Sequence, residues 1–266
     1  ADFDFTRNSS ATRVNPDYLI QDVSILSSNL VQNGNFSELG SNIITPIANS
    51  NFSSNTGYWT LETGVTIGNG KLNFTDAANN RSFYKLNLIT IGKTYKVEIT
   101  ISGYVEGFID SNNGNSFSFP TSNGTHTAYF VGGNPVLVFS ANGTTTLSVD
   151  NVSVKQVDPN DNWTLGTGWS IGTNEAIYTG TANANLSQNN ILTSQKKYIL
   201  KYTVVNSTLV NGIVKLSGTT AVAQNVLSQV NGTHSLNFIA DGSVPTNLDI
   251  RIVINTSGQY QITDIS

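Results

Sequence analysis

The side chains of this chain best suited to chemistry are aromatic. Trp59, Trp163 and Trp169 are its three tryptophans, and Tyr58 precedes the first. An aromatic ring offers an apolar face to the C–H side of a pyranose, while neighbouring amides and hydroxyls bond the sugar's own hydroxyls. Tyr58, Trp59, Trp163 and Trp169 are therefore the candidates for stacking on carbohydrate. A second reading stands beside this one, because Trp59 and Trp163 occupy matching positions of a repeat, as framework tryptophans closing one end of a sandwich would. Trp169 stands where the other copy has Val65, which makes it the copy-specific aromatic and the better ligand candidate.

Other chemistry finds few residues to carry it. His126 and His234 each follow an Asn-Gly-Thr turn, and a lone imidazole with no patterned Asp or second His beside it reads as a hairpin flank. A glycosidase needs two carboxylates across the scissile bond. Glu98 points out of a strand, but its counterpart in the other copy is Lys201, and Glu106 alone does not complete a pair. With no cysteine, thiol nucleophiles, disulfides and thiolate metal sites are excluded. The segment Gly68-Asn69-Gly70 is followed by no helix that could hold a phosphate. The reading is a chain without catalysis.

The elements that must position these residues come as a duplication. Residues 59–68, WTLETGVTIG, return at 163–172 as WTLGTGWSIG, and NGTH at 123–126 returns at 231–234. The offsets are 104 (163 − 59) and 108 (231 − 123), one ordinary domain length. Alternation by two pervades both copies. Tyr95, Val97, Ile99 and Ile101 form one stripe; Tyr198, Leu200, Tyr202 and Val204 form its counterpart; Leu248, Ile250, Ile252 and Ile254 form a third, separated by Asp249, Arg251 and Val253. Asn-Gly pairs at Asn33, Asn69, Asn113, Asn123, Asn142, Asn211 and Asn231 supply the positive φ angles of tight hairpins. Many short strands joined by such turns predict an all-β chain of sandwich domains. Parity breaks at Asp150-Asn151 and again at Thr263-Asp264, which predicts a bulge closing each copy.

These observations divide the chain into an extended N-terminal arm or connector, residues 1–47, and two tandem modules, 48–157 and 158–266. The motif NGNFS at 33–37 recurs as NSNFS at 49–53, as though the opening of one module had been written twice. The second module has DPNDN at 158–162 in place of such an opening and stops at Ser266, where the first continues. It reads as truncated, part of a longer polypeptide.

Composition bounds the partners. Charged residues are 11% of the chain, replaced by Asn, Ser, Thr and Gly, and the net charge is −4. Such a chain lacks the basic footprint of a nucleic-acid binder. Its apolar runs are too short for membrane insertion, and its opening residues, ADFDF, are not a signal peptide. Low charge suits a homo-oligomer, since charges facing themselves across a symmetry axis repel.

Residues 5–20, FTRNSSATRVNPDYLI, resemble a segment of bacteriophage tail and other virion-surface proteins, with Tyr18 where glycine is usual. The following NLVQNGNFSELG at 29–40 and the W-T-L and D-N-V-S-V framework resemble tandem carbohydrate-binding-like jelly rolls of the same phage proteins and of accessory modules in glycan-degrading enzymes. The resemblance implies two jelly-roll β-sandwich modules in a non-catalytic virion appendage, a fibre, tail or head decoration. It implies other virion proteins and cell-surface glycans as partners, at the virion surface or otherwise outside the cell. It also implies a structural calcium in the first module, with Asp150, Asn151 and Asp264 as the ligand positions, since oxygen donors suit that hard cation. The alternatives are an accessory region of a secreted polysaccharide-degrading enzyme, or modules that are pure spacers.

Overall fold

The structure, a computed structural model, describes residues 11–14, 20–23, 28–54, 56–113, 116–217, 225–240, 246–253 and 257–266. It forms two compact units, Ala1–Leu30 and Val31–Ser266. In the smaller, β1 (Ala11–Val14) pairs antiparallel with β2 (Ile20–Val23), Ala11 opposite Val23 and Val14 opposite Ile20. The expected N-terminal arm thus contains one antiparallel strand pair. Residues 5–10 and 15–19 of the FTR-type segment, and Ile254 of the third stripe, lie outside the described residues.

The larger unit is all-β, built of two jelly-roll sandwiches. The first holds β3 (Leu39–Asn42), a helical turn α1 (Ile47–Ser50), β4 (Thr60–Leu61), β5 (Val65–Gly68), β6 (Lys71–Ala77), β7 (Ser82–Lys85), β8 (Thr94–Asn112), β9 (Ser116–Ser118), β10 (Gly124–Val131) and β11 (Leu137–Val157). The second holds β12 (Thr164–Leu165), β13 (Trp169–Ile171), β14 (Ala176–Tyr178), β15 (Ala184–Gln188), β16 (Lys197–Ser207), β17 (Ile213–Ser217), β18 (Asn225–Val226), β19 (Gly232–Ile239), β20 (Leu248–Val253) and β21 (Tyr260–Thr263).

The two copies share one topology. In the first, one layer runs β4-β7-β11-β8-β9 and the other β5-β6-β11-β8-β10, because the long strands β8 and β11 serve both. Their mutual register shifts between Asn142 and Ser148, where they bend from one layer to the other. Gly107, at φ 74°, lies in that bend, and a Cβ there would meet the Thr144 carbonyl oxygen at 2.4 Å. In the second copy, layers β12-β15-β20-β17-β18 and β13-β14-β21-β16-β19 repeat the order, with β16 and β17 standing for β8 and β20 and β21 for β11.

The alternation seen in the sequence becomes the core. Tyr95, Val97, Ile99 and Ile101 are buried, as are Leu200, Tyr202 and Val204, and Leu248, Ile250 and Ile252. Both expected bulges form. The register of β11 slips between Asp150 and Ser153 with Asn151 at φ 52°, and Asp264 takes φ 50° just before buried Ile265.

The repeated motif at 33 and 49 opens one sandwich each. In the first sandwich, Trp59 Nε1 donates to the Asn49 carbonyl at 2.9 Å and the indole packs on Phe52, centroids 6.2 Å apart. In the second, Trp163 Nε1 donates to the Asn33 carbonyl at 3.0 Å and packs on Phe36 at 5.1 Å. Phe36 and Phe52 share the left-handed backbone, φ 53° and 50°. The Asn35 and Asn51 side chains each accept the N–H of the serine two residues on. The Ile265 N–H donates to the Gly34 carbonyl at 3.0 Å, and Gln188, 1% exposed, brackets the Gln32 peptide by accepting its N–H and donating to its carbonyl.

Residues 31–38 are thus packed into the second sandwich and β3 pairs with β11 of the first, which differs from the expected connector through residue 47. The opening missing from residue 158 onward is supplied from before the first sandwich. Where the chain leaves and re-enters, the Asp158 N–H donates to the Glu38 carbonyl at 3.1 Å. Buried Asp158 accepts from Asn33 Nδ2, Asn162 Nδ2 and the Trp163 N–H. A buried carboxylate so fully bonded is held in one geometry.

Candidate functional site

The three tryptophans are interior residues. Trp59, Trp163 and Trp169 are each 5% exposed. Trp59 is boxed by Phe52, Tyr58 and Phe83, and Trp169 packs on Tyr178 with its Nε1 aimed at the Ala184 carbonyl. Trp59 and Trp169 are covered within their own sandwiches, and Trp163, beside a cleft it shares with Lys93 and Thr94 of the first sandwich, is buried as deeply, so none presents a platform to a pyranose, and the expectation for Trp169 is corrected with the others. Trp169 and Val65 do occupy one position, each opening the strand that pairs with an aromatic, Tyr178 or Phe74. Tyr58 alone of the four is half-exposed, and the Lys85 ammonium lies 4.5 Å from its ring centroid. Burial pushes the Tyr58 phenol above its ordinary pKa.

Asp150 and Asn151 stand on the bulge of β11. The Asp150 carboxylate accepts the Asn151 N–H at 2.7 Å, capping its own bulge. Asp264 holds the equivalent place on the closing bulge of the other sandwich. Among the described residues no three of His, Cys, Asp and Glu come together as a metal set, and two side chains at a bulge do not fit the six to eight oxygens of a calcium cage. His126 and His234 each meet the carbonyl four residues back, Ser122 at 2.8 Å and Val230 at 2.7 Å, as hairpin flanks. Glu98 is paired with Lys96 at 3.2 Å.

The face that gathers unlike groups is the outer side of the β4-β7-β11-β8-β9 layer. Phe83 points into the core, so Tyr84 points out, with Thr60 opposite on β4 and Val138 opposite on β11. The Ser82 and Ser140 hydroxyls lie 2.9 Å apart. Beside them, Asn142 Nδ2 donates to Asp110 Oδ2 at 2.9 Å. A half-exposed phenol ring and a valine therefore adjoin a row of hydroxyl, amide and carboxylate. Apolar platform and polar rim are the two parts that a sugar-binding surface combines. Sequence reading did not single out residues 82–85 or their partners, since Tyr84 meets Val138 across 54 residues (138 − 84).

No family profile matches this chain, and no curated protein matches it. Among solved structures it is similar to the N-terminal CBM22-1-CBM22-2 tandem domain from Paenibacillus barcinonensis Xyn10C, at 10% identity and a TM-score of 0.32, over 86% of this chain and 98% of that one. An anti-sigma factor domain-containing protein aligns at 8% identity and a TM-score of 0.18, over 76% and 80% of the two chains.

The second sandwich carries different groups on the same outer face. Ser187 stands opposite Thr164 and Asp249, and Arg251 stands opposite Asn185 and Lys215. Asp249 is 9% exposed although it points away from the core. Burial raises its pKa above the ordinary carboxylate value, against the opposing pull of the Ser187 hydroxyl and the Arg251 guanidinium.

Proposed function

We propose that this chain is a non-catalytic glycan-binding appendage, a structural and adhesion protein of a virion surface that works as a homo-oligomer outside the cell. The observation that carries glycan binding is the outer face around Tyr84, where a ring and Val138 adjoin Ser82, Ser140, Asp110 and Asn142. The virion assignment rests on the FTR-type segment at residues 5–20 alone. Each exposed face of this kind is shallow and binds weakly. Several on one particle gain affinity through effective concentration, which is the mechanism an oligomeric appendage would use.

A glycan array probed with the full chain tests the reading. A bound neutral oligosaccharide whose affinity falls about tenfold in Tyr84→Ala supports it, because a central aromatic contact is worth more than about 1 kcal/mol. Retention of no saccharide, or binding indifferent to Tyr84, removes the proposed site. The mass in solution tests the oligomer separately, and a monomer removes that part.

A further inference from the structure

The two sandwiches meet at a cleft of about 130 Å³ beside the junction at Asp158. The first sandwich lines it with Thr94 of β8 and Val157 of β11, and the second with Leu165 and Ile171. Thr94 shares the outward parity of Lys96 and Glu98, so on an isolated sandwich it would face water. Here the second sandwich stands over it, and Thr94 is 6% exposed.

The backbone of Thr94 pairs with Val131 of β10, but its hydroxyl bonds no group among the described residues. A polar group buried without a partner is costly, and one that lines a cleft calls for a partner from outside the chain. Also lining the cleft, the Lys93 ammonium and the Asp161 carboxylate meet at 2.5 Å, with 35% and 57% of their side chains exposed. An ammonium donates and a carboxylate accepts, so this pair offers a donor and an acceptor side by side. Two adjacent sugar hydroxyls, each able to do both, match that arrangement, and hydrogen bonds to ionised groups are the stronger kind. Val157, Leu165 and Ile171 give the apolar wall that the C–H side of a sugar requires. The charges of Lys93 and Asp161 cancel, and Asp158 is already bonded by three donors, which favours a neutral ligand over an ion.

We propose that the cleft between the sandwiches binds one neutral sugar residue, the end of a glycan chain, with Thr94 and the Lys93–Asp161 pair bonding its hydroxyls. Its volume is well below the roughly 300–1,000 Å³ of pockets for larger ligands, which suits a single ring. The site is separate from the face around Tyr84, and the choice of ligand rests on the glycan-binding reading of the chain. The isotope-labelled full chain is titrated with glucose, galactose, mannose, xylose and N-acetylglucosamine while its amide and indole N–H resonances are followed. At least one sugar shifts the Thr94 amide and Trp163 indole signals saturably in the millimolar range.

Thr94→Val keeps the shape of the side chain and removes the hydroxyl, so it weakens that binding about three- to tenfold without lowering the melting temperature of the sugar-free chain. Asp161→Gly, at a φ of 53° that glycine adopts freely, weakens it about tenfold, and Tyr84→Ala leaves it unchanged. Asp161→Gly, at an exposed side chain, keeps the test informative if Thr94→Val unfolds. A folded Thr94→Val that melts lower assigns the hydroxyl to the fold and overturns the site. Sugar binding that depends on Tyr84 but shifts neither cleft signal, or that ignores both cleft substitutions, overturns the cleft site and leaves the glycan reading standing. Binding of none of these sugars overturns the cleft site as well, and the face around Tyr84 then stands or falls by the glycan array.

Discussion

Single residues decide what these faces can be. Tryptophans at matching repeat positions were legible as framework residues, and their 5% exposure and backbone-directed Nε1 atoms explain why the positions are shared. Trp169 was not legible in the same way, because a residue present in one copy only can fill a pocket as readily as line a site. Asp249 couples the stability of the fold to pH. Its folded pKa is raised by burial, so in the window between the ordinary carboxylate value and the raised one the native chain keeps a proton that the unfolded chain has lost. Stability is therefore greatest below that window and falls as the pH rises through it. Thermal melts across this range should show that slope, and Asp249→Asn should flatten it; an unchanged slope places the titration elsewhere.

Elements were readable wherever a pattern is local. Parity gave the inward faces of β8, β16 and β20, and its breaks gave the bulges at Asn151 and Asp264, because both follow from side chains alternating along one strand. Asn69-Gly70, with both residues at positive φ, closes the β5-β6 hairpin as the pair predicts. The segment at 31–38 was legible as a motif but not as a member of the second sandwich, since its partners Trp163, Gln188 and Ile265 lie more than a hundred residues on. Gly34 tests that membership. A Cβ there would sit 1.9 Å from the Ile265 carbonyl oxygen, a backbone atom, so Gly34→Ala should destabilise by about 1–3 kcal/mol in denaturant titrations. Gly68→Ala, with nothing within 4 Å, should stay within about 0.5 kcal/mol and serves as its control.

Across the larger unit, the order of connection matters more than the number of modules. One sandwich is interrupted between Glu38 and Asp158, whose backbones already share a hydrogen bond. Excising residues 39–157 and joining 38 to 158 should therefore leave a chain that melts cooperatively. Residues 158–266 alone should not, because they lack Phe36, whose burial is worth about 1.5–3 kcal/mol, and the Asn33 acceptor of Trp163. Calorimetry on the two fragments checks this, and a cooperative melt of 158–266 would show that the leading segment is dispensable.

The hydrogen bond between Gly34 and Ile265 has a mechanical meaning for anything that hangs from this chain. It ties the leading segment of the interrupted sandwich to the residues just after its last strand, and the hydrogen bond between Glu38 and Asp158 closes the base of the inserted one. Tension drawn between residue 31 and Ser266 runs through that outer pair before it can reach residues 39–157. The sandwich in the middle of the sequence is the one sheltered from load, and the face around Tyr84 keeps its shape until the surrounding sandwich has given way.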